Sequence, residues 1–131
     1  MNKNENRQYG KDHPAGKVKI AFTDIDGILS GKYMSTEKFL SVVESTTGFC
    51  DVIFGWDSND VAYDNVTYTG WHTGYPDATA RIDLKTFRPI PWEPGTAFFL
   101  LDFVNVAAIS PRQVMQRVIE KAGEYKDFFF R

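Results

Sequence analysis

The chain has 131 residues, 43% of them hydrophobic and 24% charged, and a net charge of −2. That length holds one domain with its own hydrophobic core and is too short for two of ordinary size. The charge offers no electrostatic case for nucleic acid or an anionic membrane surface. No apolar run reaches the roughly 18 residues of a membrane span and no signal peptide is evident, so the expected compartment is the cytoplasm. The one cysteine, Cys50, excludes an intrachain disulfide and reads as a small buried hydrophobe.

Taken in order, residues 1–16 are polar, lack apolar periodicity and contain Gly and Pro. They read as a mobile leader, with His13 facing solvent. From Lys17 the alternation of Val18, Ile20 and Phe22 with polar residues marks a half-buried strand. Asp26-Gly27 supplies a tight hairpin turn, and a second strand returns from Ile28 to Met34. Ser35 reads as the N-cap of a helix carrying Phe39, Leu40, Val42 and Val43 at helical spacing, which ends by Gly48. The run FCDVIF over 49–54 suits a short buried strand.

Beyond it, two runs over 80–84 and 87–90 are expected to form a hairpin around Lys85-Thr86, with Pro89 and Pro91 placing it at a sheet edge. AFFLLDFV over 97–104 is the most apolar run and the candidate central strand. Ser110-Pro111-Arg112-Gln113 then opens a helix, with Ser as N-cap, Pro at the first turn and Gln closing a capping box. Val114, Val118 and Ala122 give that helix an apolar stripe, and Gly123 marks its end. The tail carries Phe128, Phe129 and Phe130 with nothing after them to cover them, as if a next strand began there. The order reads as an α+β domain, a β-grasp-like mixed sheet with one crossing helix and a C-terminal helix. Its expected divisions are a leader over 1–16, the β-grasp over 17–109, and a helix plus the start of a missing catalytic domain over 110–131.

The stretch 55–77, GWDSNDVAYDNVTYTGWHTGYPD, has neither helical nor strand period. Loops longer than about 12–15 residues are usually functional or disordered, and this one is too aromatic for disorder. It reads as a surface presenting acids and rings to a ligand, or as a lid packed on its own domain. Asp57, Asp60 and Asp64 fail as an EF-hand, because the sixth and twelfth positions are Ala62 and Tyr68. His72 has no second ligand near it in sequence. The rings with Asp and Asn also have the composition of a carbohydrate-binding face.

The run Asp24-Ile25-Asp26-Gly27 resembles the first motif of haloacid dehalogenase phosphatases. Alternation resumes at once after it, which favours a plain hairpin. A broader resemblance is carried by three ordered blocks: FTDIDG at 22–27 with Gly31-Lys32-Tyr33, FGWDSND at 54–60, and PDATARID at 76–83. Trp92-Glu93-Pro94-Gly95-Thr96 and the helix from Ser110 continue in the same order. Over 18–123 the chain resembles the amino-terminal β-grasp domain of the glutamine synthetase family.

That resemblance implies an ATP-dependent ligase joining ammonia or an amine to the γ-carboxylate of glutamate, in which this domain covers a neighbouring subunit's catalytic barrel within a ring. It puts the ammonium-binding, proton-accepting positions on Asp57 and Asp60. Ser58, Asn59 and Asp60 depart from the family's Gly and paired Ser, which points to a larger amine. ATP and Mg²⁺ or Mn²⁺ are expected for the full-length parent and no cofactor for this chain, which alone is expected to be inactive. Two alternatives stay open. Asp57 could simply cap a turn, and the chain could be a free-standing binding module using the loop.

Overall fold

The alternation of the first strand decides the layout of the domain. The computed structural model describes residues 3–13, 16–106 and 108–125. In β1 (Lys17–Thr23), Val18, Ile20 and Phe22 are buried, while Lys17, Lys19 and Thr23 point away from the core. Its antiparallel partner β2 (Leu29–Ser35) runs back through the turn at Asp24–Ile28, with Ala21 opposite Gly31. Ser35 then caps α2 (Thr36–Val42), its side chain accepting from the Lys38 amide at 3.1 Å. Thr36, Phe39 and Val42 of this short helix are buried.

β3 (Thr47–Cys50), β4 (Asp77–Pro89) and β5 (Ala97–Phe103) complete a five-stranded sheet in the order β2-β1-β5-β4-β3. β1 and β5 are parallel and the remaining neighbours antiparallel, so the most apolar strand lies in the middle. This is the α+β, β-grasp-like arrangement that the pattern implied. The core is aromatic: Phe22 stacks on Phe103 with centroids 4.0 Å apart, and Phe39 on Phe99 at 5.1 Å. Full burial of a side chain of this size contributes about 1.5–3 kcal/mol. The sheet curls enough for a side chain to bridge its two edges, Lys32 Nζ on β2 reaching the Gly48 carbonyl on β3 at 3.2 Å.

Four expectations are corrected. Within residues 1–16, read as a mobile leader, α1 occupies Lys3–Asp12. It is held to the domain by a contact that carries no periodicity, the Tyr9 hydroxyl donating to the Gly95 carbonyl; His13 stacks back on Tyr9 at 4.5 Å, half-buried rather than facing solvent. The expected strand over 49–54 is β3 followed by a 3₁₀ turn, Asp51–Phe54: the Asp51 amide makes the last bond in the β3–β4 register, to the Pro76 carbonyl at 3.0 Å, and the chain then coils, the Gly55 amide donating to the Val52 carbonyl at 2.8 Å.

The expected hairpin at Lys85-Thr86 is a bulge within the single strand β4, between Asp83 and Arg88. There Thr86 Oγ1 donates to the Asp83 carbonyl at 2.6 Å and accepts from the Leu100 amide at 2.8 Å, so a side chain replaces a ladder bond. The capping box of α3 (Pro111–Gly123) does not form: Gln113 Nε2 donates instead to the Phe103 carbonyl at 2.8 Å. Arg112 forks to Asp102 and Asp83 at 2.8 and 2.9 Å, tying the start of α3 to the sheet. No residue of α3 is buried, so its apolar stripe lies open. Phe128, Phe129 and Phe130 lie outside the described residues.

Candidate functional site

The loop between the 3₁₀ turn and β4 is folded onto the domain by named contacts. Asp57 begins a five-residue turn ending at Val61. Its Oδ1 accepts from the Asn59 amide at 2.8 Å and the Val61 amide at 3.0 Å, while its own amide donates to the Val61 carbonyl at 3.0 Å. The Asp60 amide closes the turn onto the Asp57 carbonyl at 3.1 Å, with Asp60 at φ 61°. Few residues but Gly, Asn and Asp take that left-handed conformation readily. Trp56 pairs with Ala62 across the turn, and the Tyr63 amide reaches the Gly55 carbonyl at 2.7 Å. Asp57 is thus a turn cap, as one reading had it, but through Oδ1 alone. Among the described residues Oδ2 carries no hydrogen bond, and the residue is half-exposed.

Asp60 is exposed beside it. Tyr63 joins this turn to the β1–β2 hairpin electrostatically: its pKa is raised by burial and then by the negative charges of Asp26, Asp57 and Asp24. Carboxylates of two separate turns thus act on the one Tyr63 hydroxyl. Asp64 and Asp77 are exposed elsewhere on the loop and its exit, and His72 bonds the Thr67 carbonyl at 3.1 Å. The aromatics divide. Tyr68 packs edge-on against Phe54 at 5.4 Å, while Trp71 touches Tyr75 and is 83% exposed.

Two residues that the sequence reading missed sit beneath the loop. Thr69, fully buried, donates to Asp51 Oδ1 at 2.6 Å. No periodicity marks Thr69, and Asp51 lay hidden inside an apolar run. A groove of about 400 Å³ opens elsewhere, lined by Ala21, Leu29, Gly31, Trp92 and Phe98 among others, and takes no residue from the loop. Among the described residues no group of three or more His, Cys, Asp or Glu converges to hold a metal ion. No described helix is long and apolar enough to cross a membrane.

No family model matches the chain. It is 55% identical over 113 residues to a type-1 glutamine synthetase of Dictyostelium discoideum, a match covering 83% of the chain and 22% of that protein. It is 34% identical to a glutamate–isopropylamine ligase of a Pseudomonas species, over 90% of the chain and 27% of the relative. To a γ-glutamylethanolamide synthetase of Streptomyces coelicolor it is 32% identical, over 79% and 24%. Among solved structures, GmaS bound to ADP superposes with a TM-score of 0.62 at 16% identity, covering 90% of this chain and 25% of that one. Apo GmaS gives 0.61 at 17% identity, over 88% and 25%. These structures share the fold, and the chain spans about a quarter of the length of the proteins it matches. The chain belongs to the glutamine synthetase family and corresponds to its amino-terminal, β-grasp-like domain.

Proposed function

We propose that the chain is the amino-terminal domain of a cytoplasmic ATP-dependent ligase that joins ammonia or a larger amine to the γ-carboxylate of glutamate. It supplies Asp57 and Asp60 to a site completed by the catalytic barrel of its own or a neighbouring subunit in a ring. The observation that carries this reading is the match to three ligases whose names share one reaction type, glutamate joined to an amine. The Asp57 turn supports it. Oδ1 is occupied by two backbone amides that fix the carboxylate, and Oδ2 is left for a ligand.

The chemistry follows from charge and proton affinity. An amine arrives mostly as its cation, and Asp57, with Asp60 close by, favours the cation over neutral solutes. The bound cation must lose a proton before its nitrogen lone pair can attack an activated carboxyl, and a carboxylate within hydrogen-bond reach accepts that proton. Two of the relatives are named for amines larger than ammonia, isopropylamine and ethanolamine. Together with the departures at Ser58, Asn59 and Asp60, this favours an alkyl or hydroxyalkyl amine.

ATP and Mg²⁺ or Mn²⁺ do not fit the described residues. The loop acids do not converge, and Asp57 has already committed one oxygen to its own backbone. The nucleotide and metal are therefore assigned to the parts of a full-length ligase beyond this domain. The 131-residue chain should release no phosphate with glutamate, ATP and amine, whereas the full-length protein should form γ-glutamyl amides. Assaying the full-length protein with ammonia, ethanolamine and isopropylamine tests the reading, and failure to form any of the three amides would refute it.

A further inference from the structure

If Asp57 is to meet an amine, the loop carrying it must return to one position, and the structure shows a fastening that could set it. The Thr69 hydroxyl donates to Asp51 Oδ1 at 2.6 Å, with Thr69 fully buried and Asp51 95% buried. Asp51 also holds the far end of the loop, its amide donating to the Pro76 carbonyl at 3.0 Å. Gly55 lies directly under the Thr69 methyl group, where an added Cβ would stand 2.9 Å from Cγ2. The Gly55 carbonyl in turn receives the Tyr63 amide, and the next pair outward, Trp56 with Ala62, brackets the Asp57 turn. A continuous set of contacts therefore runs from Thr69 through Gly55 to Asp57.

We propose that Asp51 and Thr69 form a buried latch that sets the position of the Asp57 turn, which makes Thr69 a positioning residue for amine capture. The proposal rests on the reading of Asp57 given above. Its energetics are asymmetric. A buried acceptor that loses its donor keeps the cost of desolvation, so removing the hydroxyl is worse than never having had the pair. The loop then gains by swinging away to let water reach Asp51, and Gly55 is uncovered as it moves.

Thr69→Val keeps the shape and removes the hydroxyl, while Thr69→Ser keeps the hydroxyl. Amide exchange in the 131-residue chain should be at least about tenfold faster at Asn59, Val61 and Tyr63 in Thr69→Val, the size of effect expected for an orphaned buried acceptor. It should return to the parental rate in Thr69→Ser, with β1 and β5 unchanged throughout. In the full-length ligase, Thr69→Val should raise KM for the amine about tenfold on the same ground while leaving amine-independent ADP release intact, and Thr69→Ser should rescue it. Should Thr69→Val not fold, Gly55→Ala replaces it, because the added methyl displaces Thr69 without removing a hydrogen-bonding group.

Unchanged exchange at all three amides in the variant used would overturn the latch and leave the Asp57 reading standing. Faster exchange with an unchanged amine KM would remove Thr69 from amine capture. If Asp57→Asn is then also silent, the failure lies in the reading of Asp57.

Discussion

The turns at Asp24 and Asp57 are the same device built twice. In each, Oδ1 of an aspartate accepts from the amides two and four residues on: Asp26 and Ile28 at 3.0 and 2.8 Å, Asn59 and Val61 at 2.8 and 3.0 Å. In each, the fourth residue has positive φ and donates its amide to the aspartate carbonyl, Gly27 at φ 82° and Asp60 at φ 61°. They differ in what surrounds them. Asp24 is 1% exposed and finishes a hairpin, whereas Asp57 is half-exposed. The hairpin fills its left-handed position with Gly, the residue the backbone prefers there. The loop fills it with an exposed acid. In both turns only Oδ1 of the aspartate is bonded to the backbone; what sets the second apart is that its aspartate is less buried and that an acid, Asp60, stands at the left-handed position. That difference is what the proposed function draws on.

The comparison breaks most readily at the aspartates. Asp24→Ala should cost about 2 kcal/mol, because it orphans two amides and empties a buried site, while Asp57→Ala should cost about 1 kcal/mol, since water reaches its turn. Urea denaturation of both variants measures the gap, and equal losses would mean the turns are equivalent. The left-handed positions give a smaller effect of opposite sign. Gly27→Ala should destabilise by about 1 kcal/mol through backbone strain alone, since no atom lies within 4 Å of the added Cβ. Asp60→Gly should stabilise by about 0.5 kcal/mol. A destabilising Asp60→Gly would show that the acid makes a structural contribution.

The smallest effect lies away from both turns, at Glu93. The Tyr33 hydroxyl and then Lys17 hold its carboxyl below the usual carboxylate range. A depressed folded-state pKa contributes stability that is present above the unfolded pKa and lost as pH falls through the folded one. Glu93→Gln should therefore flatten the acid limb of a Tm-against-pH curve slightly below about pH 4.3, the ordinary glutamate value, and leave the neutral region nearly unchanged. An unaltered acid limb would show that the pair with Tyr33 does not act on folding.

What the sequence revealed of the fold tracks where the driving force was periodic. β1 was legible because alternation and burial agree, β5 because its run was the most apolar, and Asp26-Gly27 marked the turn that returns the chain as β2. α1 was not, since the Tyr9 hydroxyl that ties it to the Gly95 carbonyl leaves no period in the sequence. The bulge at Thr86 imitated a turn because a hydroxyl can occupy a ladder position, which a residue pattern cannot distinguish from a chain reversal. At the candidate site, Asp57 and Asp60 were picked out by family resemblance rather than by any local rule. Thr69 and Asp51 were invisible because one short-range hydrogen bond joins residues 18 apart in the chain. The likeness between the Asp24 and Asp57 turns was also hidden, since DIDGI and DSNDV share only the first Asp and the second has no glycine.

The most direct test of the account is Asp57→Asn in the full-length ligase. Asn retains an oxygen at Oδ1 for the Asn59 and Val61 amides, so the turn should survive and stability should change by under roughly 0.5 kcal/mol. The substitution removes the charge and the proton acceptor. Amide formation at saturating amine should fall by about 10²–10⁴, the usual loss when a general base is removed. Glutamate-dependent ADP release without amine should be spared. Undiminished amide synthesis by a folded Asp57→Asn enzyme would contradict the account and reduce Asp57 to a second Asp24, a cap and nothing more.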